Sequence, residues 1–325
     1  MFPPLRLRAA WNFGGLTLRQ VLVRTWTKLN ENEILTRASA VSFYAMLALV
    51  PLLAIILTAL VQLLPDITGA GGKTVGIGNI TVNQLQETLR QALPEEGFKV
   101  VQEQIKRIQK DPPFGLLSIG LVIALWTSSS LFLAIIDAMN RVYGVTETRS
   151  FAKLRVVAFI MTILQAVIFL GALIAIVAGP EIFRWLGFKG HSALLAIGIQ
   201  WIGVVVMVLL SFALTIYVGP DADQRWEWIT PGSVLGTIVF LACTWLFRLY
   251  IQNVANYDKT YGSLGGVMVL LLWFWVSSVV LLTSGQMNKV IEDASPLGKS
   301  TGQKEDKTET PDFSKIAPEP LHGSK

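Results

Sequence analysis

RVVAFIMTILQAVIFLGALIAIVA, residues 155–178, carries one charge, on its first residue. About 20 apolar residues in a helix cross the hydrocarbon core of a bilayer, and a helix satisfies its own backbone there. The stretch is too long for a strand and too uniformly apolar for the half-wet helix of a soluble domain. The charge desert continues beyond it. From 155 to 218 the only charged residues are Arg155, Glu181, Arg184 and Lys189.

Five more runs of this kind flank it. They cover about 38–64, 115–139, 194–218, 232–253 and 264–287. The chain is 52% hydrophobic and 15% charged over 325 residues, against about 25% charged in soluble domains. Composition and spacing together predict an all-α, multi-pass membrane protein with six transmembrane helices. Residues 1–30 are expected to form a cytoplasmic segment, 31–293 the membrane domain and 294–325 a disordered cytoplasmic tail. The first thirty residues have no apolar signal-peptide core, so the first span is expected to act as an uncleaved anchor.

Sidedness follows from Lys and Arg. With both termini in the cytoplasm, inside segments hold 17 basic residues and outside segments nine. Six of the nine fall in one long loop, 65–113, where charge matters less. The net charge of +5 is therefore read as topology control, and no nucleic-acid partner is expected. Within the long loop, apolar residues spaced three and four apart over 80–110 predict two short helices, broken at Pro94 and Gly97. Residues 16–30 mix Leu, Val and Trp with basic residues and read as an interfacial helix.

Three local signals concern packing. Pro51 interrupts the first span, a break that membrane helices tolerate. Thr230 and Pro231 suit the N-cap and first position of the fifth span. Gly232 with Gly236, and Gly262 with Gly266, are four apart, the spacing that lets helix backbones approach. Spans two and six are also alike. GLLSIGLVIALWTSSSLFLAIIDAMNRV (115–142) and GSLGGVMVLLLWFWVSSVVLLTSGQMNKV (262–290) share Leu-Trp and a terminal Met-Asn-basic-Val, with one residue inserted. An internal parallel repeat and chance likeness of apolar strings are both open readings.

The chemistry is sparse. The only histidines are His191 and His322, and the only cysteine is Cys243. There is no metal-ligand spacing, no nucleophile elbow and no phosphate loop. No enzyme activity, metal or cofactor is expected. Intramembrane charge is the better pointer. Asp137 and Arg141 are one turn apart near the inner end of span two, and self-neutralisation as an i, i+4 pair is the plain reading. Arg248 lies in the outer part of span five. Asn256, Tyr257 and Tyr261 lie in the hairpin NYDKTYGSLGG (256–266), where tyrosines suit headgroup depth. The hydroxyls Thr127, Ser128, Ser129 and Ser130 read as packing residues.

RASAVSFYAMLALVPLL (37–53), LWTSSSLFLAIIDAMNRVYGV (125–145) and the run from RWEWITPG to TSGQMNKVIED (225–293) resemble, in order and spacing, the YihY/BrkB family of bacterial inner-membrane proteins. The likeness covers roughly residues 30–293. It departs at Gln286, where the family commonly has an acidic residue. The resemblance implies six helices with both termini inside, and little about chemistry. Labels of virulence factor and ribonuclease, and a role in envelope lipid transport, attach to such proteins. Two functions are therefore carried forward. One is a transporter or flippase-like path for a lipid or envelope component, with Asp137, Arg141, Arg248, Asn256, Tyr257 and Tyr261 along spans two, five and six. The other is an assembly factor whose glycine faces bind partner helices or a second copy. Membrane lipids are expected partners in both.

Overall fold

The computed structural model describes residues 13–63, 117–185, 192–222, 229–254 and 263–294, with a few isolated positions besides. A short 3-10 turn, Phe13–Gly15, leads into α1 (Leu18–Glu31). Six long helices follow: α2 (Ile34–Leu63), α3 (Leu117–Tyr143), α4 (Phe151–Trp185), α5 (Ser192–Val218), α6 (Pro231–Val254) and α7 (Ser263–Ala294). Each of α2–α7 overlaps one of the six apolar runs. Among the described residues α4, α5, α6 and α7 are long and apolar enough to cross a membrane, and Ile34–Leu49 is a shorter apolar helix. Of the expected helices within 80–110 only Arg90, Phe98, Gln102 and Glu103 are described, each as helical, and the Asn256–Gly262 stretch and the tail beyond 294 lie outside the described residues.

Most helices overrun their apolar segments, because a helix does not stop where hydrocarbon stops. α4 continues to Trp185 and α7 to Ala294, while α2 begins at Ile34. Pro51 lies inside α2, which runs on to Leu63. At the start of α1, Thr17 and Gln20 close a reciprocal capping box. At the start of α6, Thr230 accepts from the Ser233 amide at 3.2 Å, and Pro231 takes the first helical position.

Successive helices are neighbours, and the bundle closes into a ring where α7 packs on α2. α7 also touches α3 and carries α1 on its C-terminal half. The main core is built from Ile34, Ala38 and Val41 of α2, from Ile135, Ile136 and Met139 of α3, and from Met161 and Leu282. A smaller core joins Val21 of α1 to Met287 and Ile291 of α7. Outward, the helices present apolar side chains: Val167 and Phe169 on α4, Leu194, Leu195 and Ile202 on α5, Trp245 on α6. Soluble monomers rarely leave such a continuous apolar surface open, and a bilayer is the solvent that suits it.

α1 lies outside the ring. Val21 and Thr25 are buried, while Leu18, Leu22 and Trp26 form an exposed stripe beside them. An apolar stripe flanked by Arg19, Arg24 and Lys28 has the character of an interfacial helix.

Candidate functional site

Along one flank of the ring, α2 and α3 leave an open groove of about 540 Å³. Its α2 wall is Glu33, Thr36, Arg37, Ala40 and Tyr44, and its α3 wall is Ser130, Leu133, Ala134 and Asp137. Both sets follow the three-and-four spacing of one helix face. Ala40, Ala134, Ser130 and Thr36 are small, so the helices can touch while leaving space between their outer faces. A guanidinium and a carboxylate face each other across it: Arg37 Nη1 stands 2.5 Å from Asp137 Oδ2. The Arg37 side chain is 24% exposed and that of Asp137 is 76% exposed. The Nε of Arg37 is buried with no acceptor. Glu33, at the α1–α2 elbow, adopts φ 54°, a left-handed conformation that costs a non-glycine residue about 1–2 kcal/mol. It holds a second carboxylate at the groove's edge.

Behind the α3 wall lies a second arginine. Arg155 of α4 is 6% exposed. Its guanidinium sits 3.7 Å from the centroid of the Trp126 ring. Nη2 donates to the Trp126 carbonyl at 3.0 Å, and Nη1 reaches the groove-lining Ser130 hydroxyl at 3.4 Å. Sequence reasoning assigned Arg37 and Arg155 to topology alone. Charge type and position were legible, but a long side chain ends wherever packing sends it, and the sequence does not record that.

One end of the bundle is tied by polar groups. Asn140 Oδ1 accepts from the Asp221 amide at 2.7 Å, and its Nδ2 donates to Glu147 at 2.8 Å. Arg149 grips Glu147 with two donors at 2.7 Å and donates to the Gly219 carbonyl at 3.1 Å. Thr148 donates twice to Asp221 Oδ2. Burial raises the Glu147 pKa, but donors from Arg149 and Asn140 outweigh it and hold the carboxyl below its ordinary value. At the equivalent place in α7, Asn288 Oδ1 accepts from the Gly232 amide and its Nδ2 donates to Thr230, both at 2.8 Å. Asn140 and Asn288 are the asparagines aligned by the likeness of spans two and six. Each clasps the backbone of a neighbouring segment at the same end of its helix.

The sequence-derived residues are placed as follows. Asp137 lines the groove, but its ion pair is with Arg37 of α2. The expected pairing with Arg141 is not formed, because Asp137 faces α2 across the groove while Arg141 projects as an exposed residue one turn on. Arg248 is exposed on α6 and is not part of the groove lining. Asn256, Tyr257, Tyr261 and Gly262 fall outside the described residues. Gly266 is buried. Gly232 and Gly236 lie against this chain's own α7. A Cβ on Gly232 would overlap Asn288 Oδ1 and the Ser284 carbonyl, and one on Gly236 would overlap the Ser284 side chain. The neutral Gln286 is 2% exposed, and its Oε1 accepts from Asn32 at the α1–α2 elbow at 2.6 Å. Among the described residues no group of three or more His, Cys, Asp or Glu side chains could hold a metal.

Comparison with known proteins covers most of the chain. The family model described as "Virulence factor BrkB" matches residues 25–309. "Putative ribonuclease-like protein YfkH" of Bacillus subtilis (strain 168) is 29% identical over 281 residues, which is 85% of this chain and 96% of the relative. A "UPF0761 membrane protein" of Psychromonas ingrahamii is 26% identical over 282 residues, 84% of this chain and 88% of the relative. Another from Coxiella burnetii is 22% identical over 283 residues, 85% and 94% respectively. No solved structure matches.

Proposed function

This chain belongs to the virulence factor BrkB family of bacterial membrane proteins, and on that ground we propose that it moves a lipid or lipid-linked envelope component between leaflets along the α2–α3 groove. One observation carries the reading: an open groove among apolar helices holds the facing Arg37–Asp137 pair. The pair stands at the ends of the apolar runs of α2 and α3, the depth at which headgroups would meet it. An open groove admits a headgroup while the acyl chains stay in the bilayer. A zwitterionic or anionic headgroup finds a cation in Arg37, a carboxylate in Asp137, and hydroxyls in Tyr44 and Ser130.

The alternative of an assembly factor loses one support. Gly232 and Gly236 are covered by α7 of the same chain, so they offer no face to a partner helix. The enzyme reading rests only on the name of the ribonuclease-like relative from Bacillus subtilis.

The test is reconstitution of the full chain into proteoliposomes with a headgroup-labelled phospholipid and a membrane-impermeant quencher. Wild-type protein is expected to expose inner-leaflet label. Arg37→Ala and Asp137→Asn are expected to slow that exposure about tenfold. They should change thermal stability by no more than about 1 kcal/mol, because the pair is solvent-facing. Label exposure at the empty-liposome rate with folded wild-type protein would sink the proposal.

A further inference from the structure

Among the described residues Arg155 has no counter-charge. It is 6% exposed, its Nε is buried without an acceptor, and no carboxylate among the described residues pairs with it. Asp137, on the same helix as its contacts, is engaged by Arg37. A desolvated, unpaired guanidinium is among the most costly arrangements a protein can hold. The Trp126 ring offsets part of that cost, since cation–π attraction is strongest out of water. It supplies no neutralising charge.

The neighbourhood shows where an anion would come from. Ser130 takes part in both places: it lines the groove, and its Oγ is 3.4 Å from Arg155 Nη1. Ser130 is therefore the residue shared by the groove wall and the surroundings of the buried cation. Ser130 and Asp137 are seven residues apart on α3, two turns, or about 10 Å along the axis. The groove thus has one cation at the level of Asp137 and another behind its wall two turns further along α3. Trp126, 48% exposed, covers the second on the outer side, where acyl chains would lie.

We propose that Arg155 is a second anion station, which takes the phosphoryl group of an amphiphile's headgroup through the Ser130 position. This rests on the groove reading above and adds a substrate class to it: a phosphate-bearing lipid. A guanidinium is suited to that role because its planar donors match phosphate oxygens and its charge cannot be titrated away.

The test uses full-length protein in neutral detergent, with phosphatidylglycerol, a phosphate-free glycolipid of the same acyl chains, and inorganic phosphate as separate probes. Native mass spectrometry reads retention, and thermal shift reads stabilisation. Wild-type protein is expected to prefer the phospholipid by about tenfold or more. Arg155→Gln should erase that preference while still binding lipid through Arg37. Ser130→Leu, which keeps the cation but fills the approach, should do the same and serves if the first variant does not fold. Equal stabilisation by inorganic phosphate would keep the station and assign it to a free anion. An unchanged phospholipid preference in Arg155→Gln or Ser130→Leu would overturn the proposal while leaving the groove standing. Loss of all lipid binding by wild-type protein would overturn both.

Discussion

Gly236 shows how much one missing carbon decides. A Cβ there would overlap the Ser284 hydroxyl and stand 2.8 Å from its Cβ, with Phe212 at 3.1 Å. Gly232 has no more room, because Asn288 and the Ser284 backbone fill it. Gly236→Ala and Gly232→Ala are each expected to destabilise the detergent-solubilised protein by about 2–3 kcal/mol through overpacking. Gly198 is the control. It also sits in a transmembrane helix, but nothing lies within 4 Å of its would-be Cβ, and Gly198→Ala should be neutral or stabilising by up to about 1 kcal/mol. Equal effects at all three positions in a thermal unfolding series would refute the packing account. The glycine spacing was legible in the sequence. Its partner was not, since four-residue spacing marks a face without saying which helix meets it. Asp137 makes the same point: an arginine four residues away was a reasonable local partner, and one a hundred positions earlier in the chain took the place.

At the scale of elements, apolar run length located all six long helices, because a bilayer imposes that length whatever the sequence around it. The helix ends were less legible, since they are set by caps and polar contacts rather than by hydrocarbon. The α3–α4 connection makes those contacts testable. Glu147 joins α3, through Asn140, to Arg149, which in turn holds the end of α5 at Gly219. Its carboxyl is held below the ordinary value. A depressed pKa means the folded state favours the carboxylate, so the stabilisation is present above the ordinary carboxylate range and is lost as pH falls through the depressed value. The melting temperature should therefore fall on acidification below about pH 5, and Glu147→Gln should melt lower at neutral pH with a flatter acid limb. Parallel acid limbs for the two proteins would mean that Glu147 is not part of this dependence.

For the whole molecule, the ring closure has a consequence for sidedness. α7 packs on α2 and carries α1, and Asn32 at the start of the helical ring bonds Gln286 near its finish. The first long helix therefore starts at the end of the bundle where the last one finishes. The clasps of Asn140 and Asn288 occupy equivalent ends of two helices, as an alternating path through six spans requires. Geometry alone does not say which compartment that end faces. The basic residues do: 17 lie in segments on that side of the alternating path and nine on the other, and Lys and Arg near span ends favour the cytoplasm. Both termini are therefore expected inside. A reporter active only in the cytoplasm should score when fused after Lys325 and again when fused within the α3–α4 connection, while an export-dependent reporter should score within 65–113. The groove reading depends on the result, because Arg37 and Asp137 lie at the α1–α2 elbow's end of the bundle. With that end in the cytoplasm, the pair meets inner-leaflet headgroups first, and a cargo would be loaded from the side where lipids are made. Inverted reporter signals would place the pair at the outer leaflet and reverse the direction of loading.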